Sequence, residues 1–503
     1  MGTAIKEPNI MILSNRIPRV LLYVIAWRLS SVFLVQTSDV ADEYWQSVEV
    51  AHRLAFGYGH LTWEWREGIR SYIYPLLISL IYRILGFFHL DFATLIIIAP
   101  RIMQALLSAY ADYRFYVWTK NKWALFSLCT NWFWYYNASR TLVNTLETSL
   151  TTIALSIFPW RDSNTKSVSY IWIVAWLCVV RPTAAVIWTP LCLYHLLTTP
   201  TSGRIVLFLS YLRIGMITLS IATLVDTIGY GKFVLSHIEF LRINLINRVS
   251  DIYGTEPFFW YLTIGIPVIL GLYYVIFLIG AWQVVQHSAK FHTQTVMLVV
   301  IGWTLAIYSM IPHKEIRFIL PLLPFFTCLS TSGILSINNS VGPFPRKVFM
   351  AVLVLTNLLP GLYYSLIHLR GSLDVMKILR QEISNTDKDE VNILFLTPCH
   401  VTPFYSHLHA NITARFLTCE PNLYRQNDHV NETEVFFANP NLWLKQTYSN
   451  TKDTEMPTHL VLFNALAPTI HQFLNKYRLI ADIFHAYNAP SSHSQYLLIY
   501  KRK

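Results

Sequence analysis

The sequence predicts a polytopic α-helical membrane protein with a small C-terminal α/β domain. Three observations lead there. Of 503 residues, 54% are hydrophobic and only 13% are charged, against about a quarter charged in soluble domains. Many apolar runs approach or exceed the roughly 20 residues needed to span hydrocarbon. Beyond His368 the long apolar runs give way to mixed sequence with short ones.

Residues 1–19 are polar and carry Lys6, Arg16 and Arg19 before the first apolar run, Val20–Val35. Positive charge on that flank predicts a cytosolic N-terminus. The run lacks a small-residue cleavage site, so it reads as a signal anchor. Residues 36–71 then form a loop on the opposite, lumenal face. Further apolar runs lie at about 72–88, 92–110, 123–136, 141–158, 168–197, 205–228, 258–282, 294–312, 316–337 and 347–369. Together they predict about ten or eleven spans, with re-entrant pieces among them. The polar interval 229–257 reads as a second lumenal loop. No internal repeat is evident, which weighs against an inverted-repeat transporter. The net charge of +11 fits cytosolic loops and headgroup contacts rather than nucleic acid. Residues 1–369 thus form a membrane domain and 370–503 a soluble lumenal one.

In the tail, Asn392–Leu396, His459–Phe463 and Gln495–Tyr500 read as strands among helical stretches. The triplets Asn411-Ile-Thr and Asn431-Glu-Thr are acceptors for N-glycosylation and fit a lumenal location. A third, at Asn137, lies in an apolar run and is expected to stay unused. The six cysteines show no metal-ligand spacing. Cys129, Cys178, Cys192 and Cys328 sit in apolar context as small core residues. Cys399 and Cys419 can pair in an oxidising lumen.

The candidate chemistry centres on Asp39–Glu49. The adjacent carboxylates Asp42 and Glu43 stand just past a membrane end. Tyr44, Trp45 and Gln46 follow, then Thr62-Trp63-Glu64-Trp65 and Arg70-Ser71. Carboxylates with aromatics at this density predict a polar, ring-lined pocket of the kind that holds sugars. Within the apolar runs, Arg101 and Asp112 share a helix face with Gln104 and Ser108, and Arg140, Asn144 and Glu147 share another. Ionisable groups at membrane depth need partners; the structural reading pairs Asp112 with Arg140, or Glu147 with Arg101. Arg181-Pro182 marks a helix break or a membrane boundary. His313-Lys314-Glu315-Ile316-Arg317-Phe318 lies between two apolar runs. It reads either as a turn with snorkelling cations or as a clamp in which His313, Lys314 and Arg317 hold a lipid phosphate.

These motifs resemble glycosyltransferase family 22. The likeness rests on Asp42-Glu43-Tyr44-Trp45-Gln46-Ser47, Thr62-Trp63-Glu64-Trp65, Arg70-Ser71-Tyr72 and Tyr74-Pro75. It continues through Arg140-Thr-Leu-Val-Asn144-Thr-Leu-Glu147, Arg181-Pro-Thr183 and His313–Phe318 to Pro398-Cys-His400 and Thr402–His407, nearly the whole chain. One departure is Val40-Ala41, where the wider family often has His-Pro.

The resemblance implies a GT-C fold in the endoplasmic reticulum membrane and dolichyl-phosphate-mannose as donor. It implies transfer to the second mannose of a glycosylphosphatidylinositol (GPI) precursor, giving an α1,2-linked third mannose with inversion. No cofactor or metal is expected. Inversion in one step needs a base on the acceptor hydroxyl; Asp42 is the choice, with Glu43 tuning it or orienting the acceptor. His313, Lys314 or Arg317 would stabilise the leaving phosphate. The alternatives are another family-22 enzyme, acting on the fourth GPI mannose or an N-glycan precursor, and a membrane lipid transporter. The latter fits the lumenal Trp-Glu-Trp loop and soluble tail poorly.

Overall fold

The longest helices carry few charges and leave much of their surface apolar and outward-facing. The computed structural model describes residues 18–161, 168–287, 292–340, 342–384, 386–423, 430–449, 456–490 and 493–503. Lys6 and Arg16, used above to orient the chain, lie outside these. Five helical stretches are long and apolar enough to cross a bilayer: Ala93–Thr119, Thr201–Tyr230, His292–Met310, Ile316–Asn338 and Pro343–Ile383. A sixth is possible if Tyr261–Leu270 and Tyr273–Gln286, bent by 113°, form one broken span.

The expected ten or eleven spans therefore exceed the continuous helices among the described residues. The reason is local. Arg19–Leu34 (16 residues), Ile73–Phe87 (15), Val143–Ile157 (15), Tyr170–Val180 (11) and Ala184–Thr198 (15) are helical but short of a full crossing. Arg181-Pro182 does break a helix: one ends at Val180, Arg181 is extended, and the next begins at Ala184. Where Tyr273–Gln286 crosses Leu323–Ser340, a Cβ on Gly280 would stand 2.0 Å from the Leu329 carbonyl and one on Gly333 2.4 Å from that of Ile276. Small residues let the two backbones meet, as in other membrane helix pairs.

Five elements frame the loop that carries the acidic pair: α1 (Arg19–Leu34), α2 (Glu49–Phe56), α3 (Trp63–Arg66), α4 (Ile73–Phe87) and α5 (Ala93–Thr119). Between α1 and α2 the chain makes a wide π-helical turn, Tyr44–Val48. Turns of this type often mark functional sites.

After Leu366 the chain changes character. A helix, Gly371–Ile383, leads into a five-stranded sheet of β1 (Asn392–Leu396), β2 (Thr413–Phe416), β3 (His459–Phe463), β4 (Tyr477–Phe484) and β5 (Tyr496–Arg502). The order is β2-β1-β3-β5-β4, with β1 parallel to β2 and β3, and β5 antiparallel to β3 and β4. Central β1 and β3 are apolar on both faces because both faces are covered. Ile393, Phe395, Val461 and Phe463 pack on Val375, Met376 and Leu379 of the preceding helix and on Tyr44, Trp45 and Val48 of the loop. Leu394, Leu396, Leu460 and Leu462 pack on Phe436 and Trp443. The sheet and the loop thus share one core.

Candidate active site

The site begins with the loop's attachment to the tail. Trp45 donates its indole N–H to the Thr402 carbonyl (3.2 Å), and its ring stacks on Phe404. Glu49 is buried and accepts hydrogen bonds from Phe404 N–H (2.7 Å), Ser406 N–H (3.1 Å) and Ser406 Oγ (2.6 Å). Burial pushes its carboxyl up to about 7, and the bonds from Ser406 and Phe404 only partly offset this.

The two adjacent carboxylates then separate. Successive residues on helical backbone point about 100° apart. Glu43 turns inward to Arg140 Nη1 (2.6 Å), with both side chains almost fully buried. Arg140 also donates to Thr37 Oγ1 (3.3 Å) and lies 4.1 Å from the Tyr136 ring centre. Thr141 Oγ1 and Ser47 Oγ donate to the Glu43 carbonyl. Asp42 turns outward. Its carboxylate meets Arg317 Nη1 at 2.7 Å and keeps 31% of its side chain exposed.

Arg317 is itself held in place. It forks onto Glu315 through Nε (2.6 Å) and Nη2 (2.8 Å). Asn144 donates to its carbonyl (3.0 Å). His313 bridges Glu315 (3.1 Å) and the Gly254 carbonyl (3.0 Å). Burial pushes Glu315 up, but Arg317 and His313 outweigh it and hold the carboxyl below its usual range. Arg70, tied to Glu64 at 2.7 Å, is a second cation within electrostatic reach of Asp42. Gln46 donates to the same Glu64 oxygen (3.4 Å).

Asp42, Glu43, Gln46, Glu64, Arg70, Arg140, Asn144, His313 and Arg317 therefore come together, and several other sequence readings need correcting. Lys314 is not turned to a ligand. It is buried, and its ammonium faces the carbonyls of Ile311 (2.8 Å), Glu256 (2.9 Å) and Pro312 (3.5 Å), so its three donors are occupied in fastening the loop. The expected clamp at His313, Lys314 and Arg317 is a neutralised network around Glu315 and Asp42. Trp63 and Trp65 are interior rings rather than platforms for a sugar. Trp65 is 2% exposed and donates to the Trp45 carbonyl (3.2 Å), while Trp63 packs on Ile69, Ile243 and Val249. Tyr44 is likewise buried, edge-on to His407.

The intramembrane pairs also differ from expectation. Asp112 pairs with Arg28 (2.6 Å), Arg140 with Glu43 and Glu147 with Arg181 (2.9 Å). Arg101 donates to the Val35 carbonyl (2.7 Å). Sequence spacing aligns residues on one helix but does not choose the neighbouring helix. Arg28 was missed although a lone charge inside Val20–Val35 demands a partner. Asp39 was also given no role; burial raises its carboxyl pKa, and Arg140 and Arg317 pull it down without cancelling that effect. Cys399 and Cys419 form a disulfide; Asn411 is exposed on the tail, while Asn431 is half-buried and its side chain accepts from Glu434 N–H (2.8 Å) as a helix cap.

An outward carboxylate on an arginine fork, beside an inward carboxylate on a buried arginine, is an arrangement that can take a proton from an incoming hydroxyl. The Alg9-like mannosyltransferase family model matches residues 19–409. GPI mannosyltransferase 3 of Drosophila melanogaster is 46% identical over 472 residues, which cover 93% of this chain and 83% of that protein. GPI alpha-1,2-mannosyltransferase 3 of Danio rerio is 40% identical, covering 96% and 89%. Among solved structures, ArnT from Cupriavidus metallidurans bound to undecaprenyl phosphate superposes with a TM-score of 0.63 at 10% identity, covering 96% of this chain and 97% of that one. That likeness speaks for the fold alone, which is GT-C. The chain belongs to the Alg9-like mannosyltransferase family and is a multi-pass membrane glycosyltransferase.

Proposed function

We propose that this enzyme transfers mannose from dolichyl-phosphate-mannose to the second mannose of a GPI precursor, forming an α1,2 linkage with inversion. Relatives named for GPI mannosyl transfer, 46% and 40% identical, support the acceptor class. The observation that carries the mechanism is the outward Asp42 carboxylate, 2.7 Å from Arg317 and open on its other side. Asp42 takes the proton of the acceptor hydroxyl as that oxygen attacks the mannosyl anomeric carbon. The bond from that carbon to the phosphate oxygen breaks, and dolichyl phosphate leaves as a monoester. Arg317 holds Asp42 in place and aims it. Glu43 and Arg140 hold the turn that presents it.

The reaction face is the lumen of the endoplasmic reticulum, with residues 370–503 on that side. The Cys399–Cys419 disulfide supports an oxidising compartment, and the exposed Asn411 is available for a glycan. Loss of the gene should cause a GPI precursor with two mannoses to accumulate, as read by mass spectrometry of lipid extracts. Accumulation of a truncated N-glycan precursor with normal GPI lipids would overturn the reading.

A further inference from the structure

A cavity of about 360 Å³ lies where helix Gly371–Ile383 meets α1 and α5. One wall is apolar: Val32 and Phe33 from α1, Ile97 and Ile98 from α5. Phe33 is 60% exposed, so this wall continues onto the bilayer-facing surface. Four cations also line it: Arg101, one turn beyond Ile97 on α5, with Arg370, Lys377 and Arg380.

The balance of charge in the cavity is uneven. Asp374 takes Arg370 (2.8 Å), and Arg140 takes Glu43 (2.6 Å). Among the described residues, no ion pair engages Arg101, Lys377 or Arg380. Arg101 gives one N–H to the Val35 carbonyl, and its buried Nε has no partner. Arg380 gives one N–H to the His407 carbonyl (2.9 Å), leaving the rest of its fork free of any carboxylate. His407 adds no charge: burial, with Arg380 and Arg101 close by, pushes it down to about 3. Three cations without an ion-pair partner among the described residues, beside apolar side chains that reach the bilayer-facing surface, suit an amphiphile with an anionic head.

Glu43 and Tyr44 line this cavity. Glu43 therefore faces the cavity while its neighbour, the base Asp42, faces Arg317. The occupied donors of Lys314 leave the phosphate without its expected partner on the Arg317 side.

We propose that this cavity seats the phosphate of a lipid phosphodiester substrate, with Lys377, Arg380 and Arg101 as its counter-charges and the α1–α5 wall against its hydrocarbon chain. The proposal rests on the transferase reading above. Both substrates of that reaction carry such a group, one on the polyprenyl carrier and one on the acceptor's inositol lipid.

Lys377 is exposed, so Lys377→Gln should fold, and Lys377→Gln/Arg380→Gln extends the loss. The full chain in phosphatidylcholine nanodiscs would be tested for retention of dolichyl phosphate and of phosphatidylinositol by native mass spectrometry. The KM for dolichyl-phosphate-mannose and for a synthetic two-mannose GPI acceptor would be measured alongside. Each lost cation should weaken one probe roughly tenfold, with kcat largely kept. Loss of dolichyl phosphate assigns the cavity to the donor; loss of phosphatidylinositol assigns it to the acceptor. If both probes bind the folded double variant within twofold of wild type, the proposal is wrong. Wild-type protein that binds a probe through Lys377 but transfers no mannose would sink the transferase reading and leave the lipid-phosphate site standing.

Discussion

Exchanging each carboxylate of the acidic pair for its amide should produce two different failures. In Asp42→Asn the shape is kept and the base is lost. Its pairing with Arg317 is partly exposed, and exposed ion pairs contribute about 0–1 kcal/mol. Arg317 keeps its fork on Glu315 in any case. Protein level and melting temperature should therefore stay near wild type, while the transfer rate falls by roughly 10²–10⁴-fold. In Glu43→Gln the opposite holds. Arg140 is 1% exposed, and breaking a buried ion pair costs about 3–5 kcal/mol. The amide oxygen can still accept from Nη1, and the Tyr136 ring still faces the guanidinium at 4.1 Å. A net loss of about 2–4 kcal/mol follows, seen as low protein yield and a lowered melting temperature. The assay is transfer rate per mole of folded enzyme, with thermal unfolding on the same samples. Glu43→Gln protein that melts like wild type yet transfers nothing, beside an active Asp42→Asn, would refute the assignment and make Glu43 the base.

Lys314→Met should lower stability by roughly 1.5–3 kcal/mol per lost charged hydrogen bond while the surviving enzyme keeps its KM for the donor. Arg317→Lys keeps the charge but not the fork shared by Asp42 and Glu315, so kcat should drop at least about tenfold; unchanged kinetics would show that Arg317 does not aim the base. Glu49, with its folded carboxyl raised from 4.5 to about 7, should stabilise the tail's docking fully below pH 4.5 and progressively less as pH rises to about 7. The total loss is about 3 kcal/mol, and Glu49→Gln should flatten that slope in melting temperatures taken from pH 4.5 to 8. Removing the Cys399–Cys419 bond, which closes a separation of 20 residues, should cost about 3 kcal/mol and loosen the tail in limited proteolysis.

Much of the architecture is legible because apolar runs report burial directly. β1 and β3, buried on both faces, appear in the sequence as unbroken apolar segments. β2 and β4 do not. They are the edge strands, and residues such as Arg415, Arg478 and Asp482 break their apolar runs. The apolar runs mark where helices lie but not how long each continuous helix is, so several of them correspond to helices of 11–16 residues. The motif residues around Asp42 were found, but their roles depend on neighbours far along the chain. Nothing near Lys314 shows that the Glu256 carbonyl, 58 residues earlier, will accept from its ammonium. Nothing near Glu49 shows that it will receive the backbone of Phe404. The cationic cavity was invisible for the same reason, since its charges come from segments more than 250 residues apart.

The bonds from Glu49 to Ser406 join residues 357 positions apart. At roughly 5–20 residues per second of synthesis, about 20–70 s pass between the two leaving the ribosome. Throughout that interval the acidic loop is already at the membrane surface without Thr402, Phe404 or Ser406 to fasten it. A chain that stops short of Thr402 can insert its helices, yet it lacks every one of these fasteners. Synthesis of the segment Thr402–Ser406 is thus the step that sets the loop, and the enzyme acquires its site late, after its membrane helices have been made.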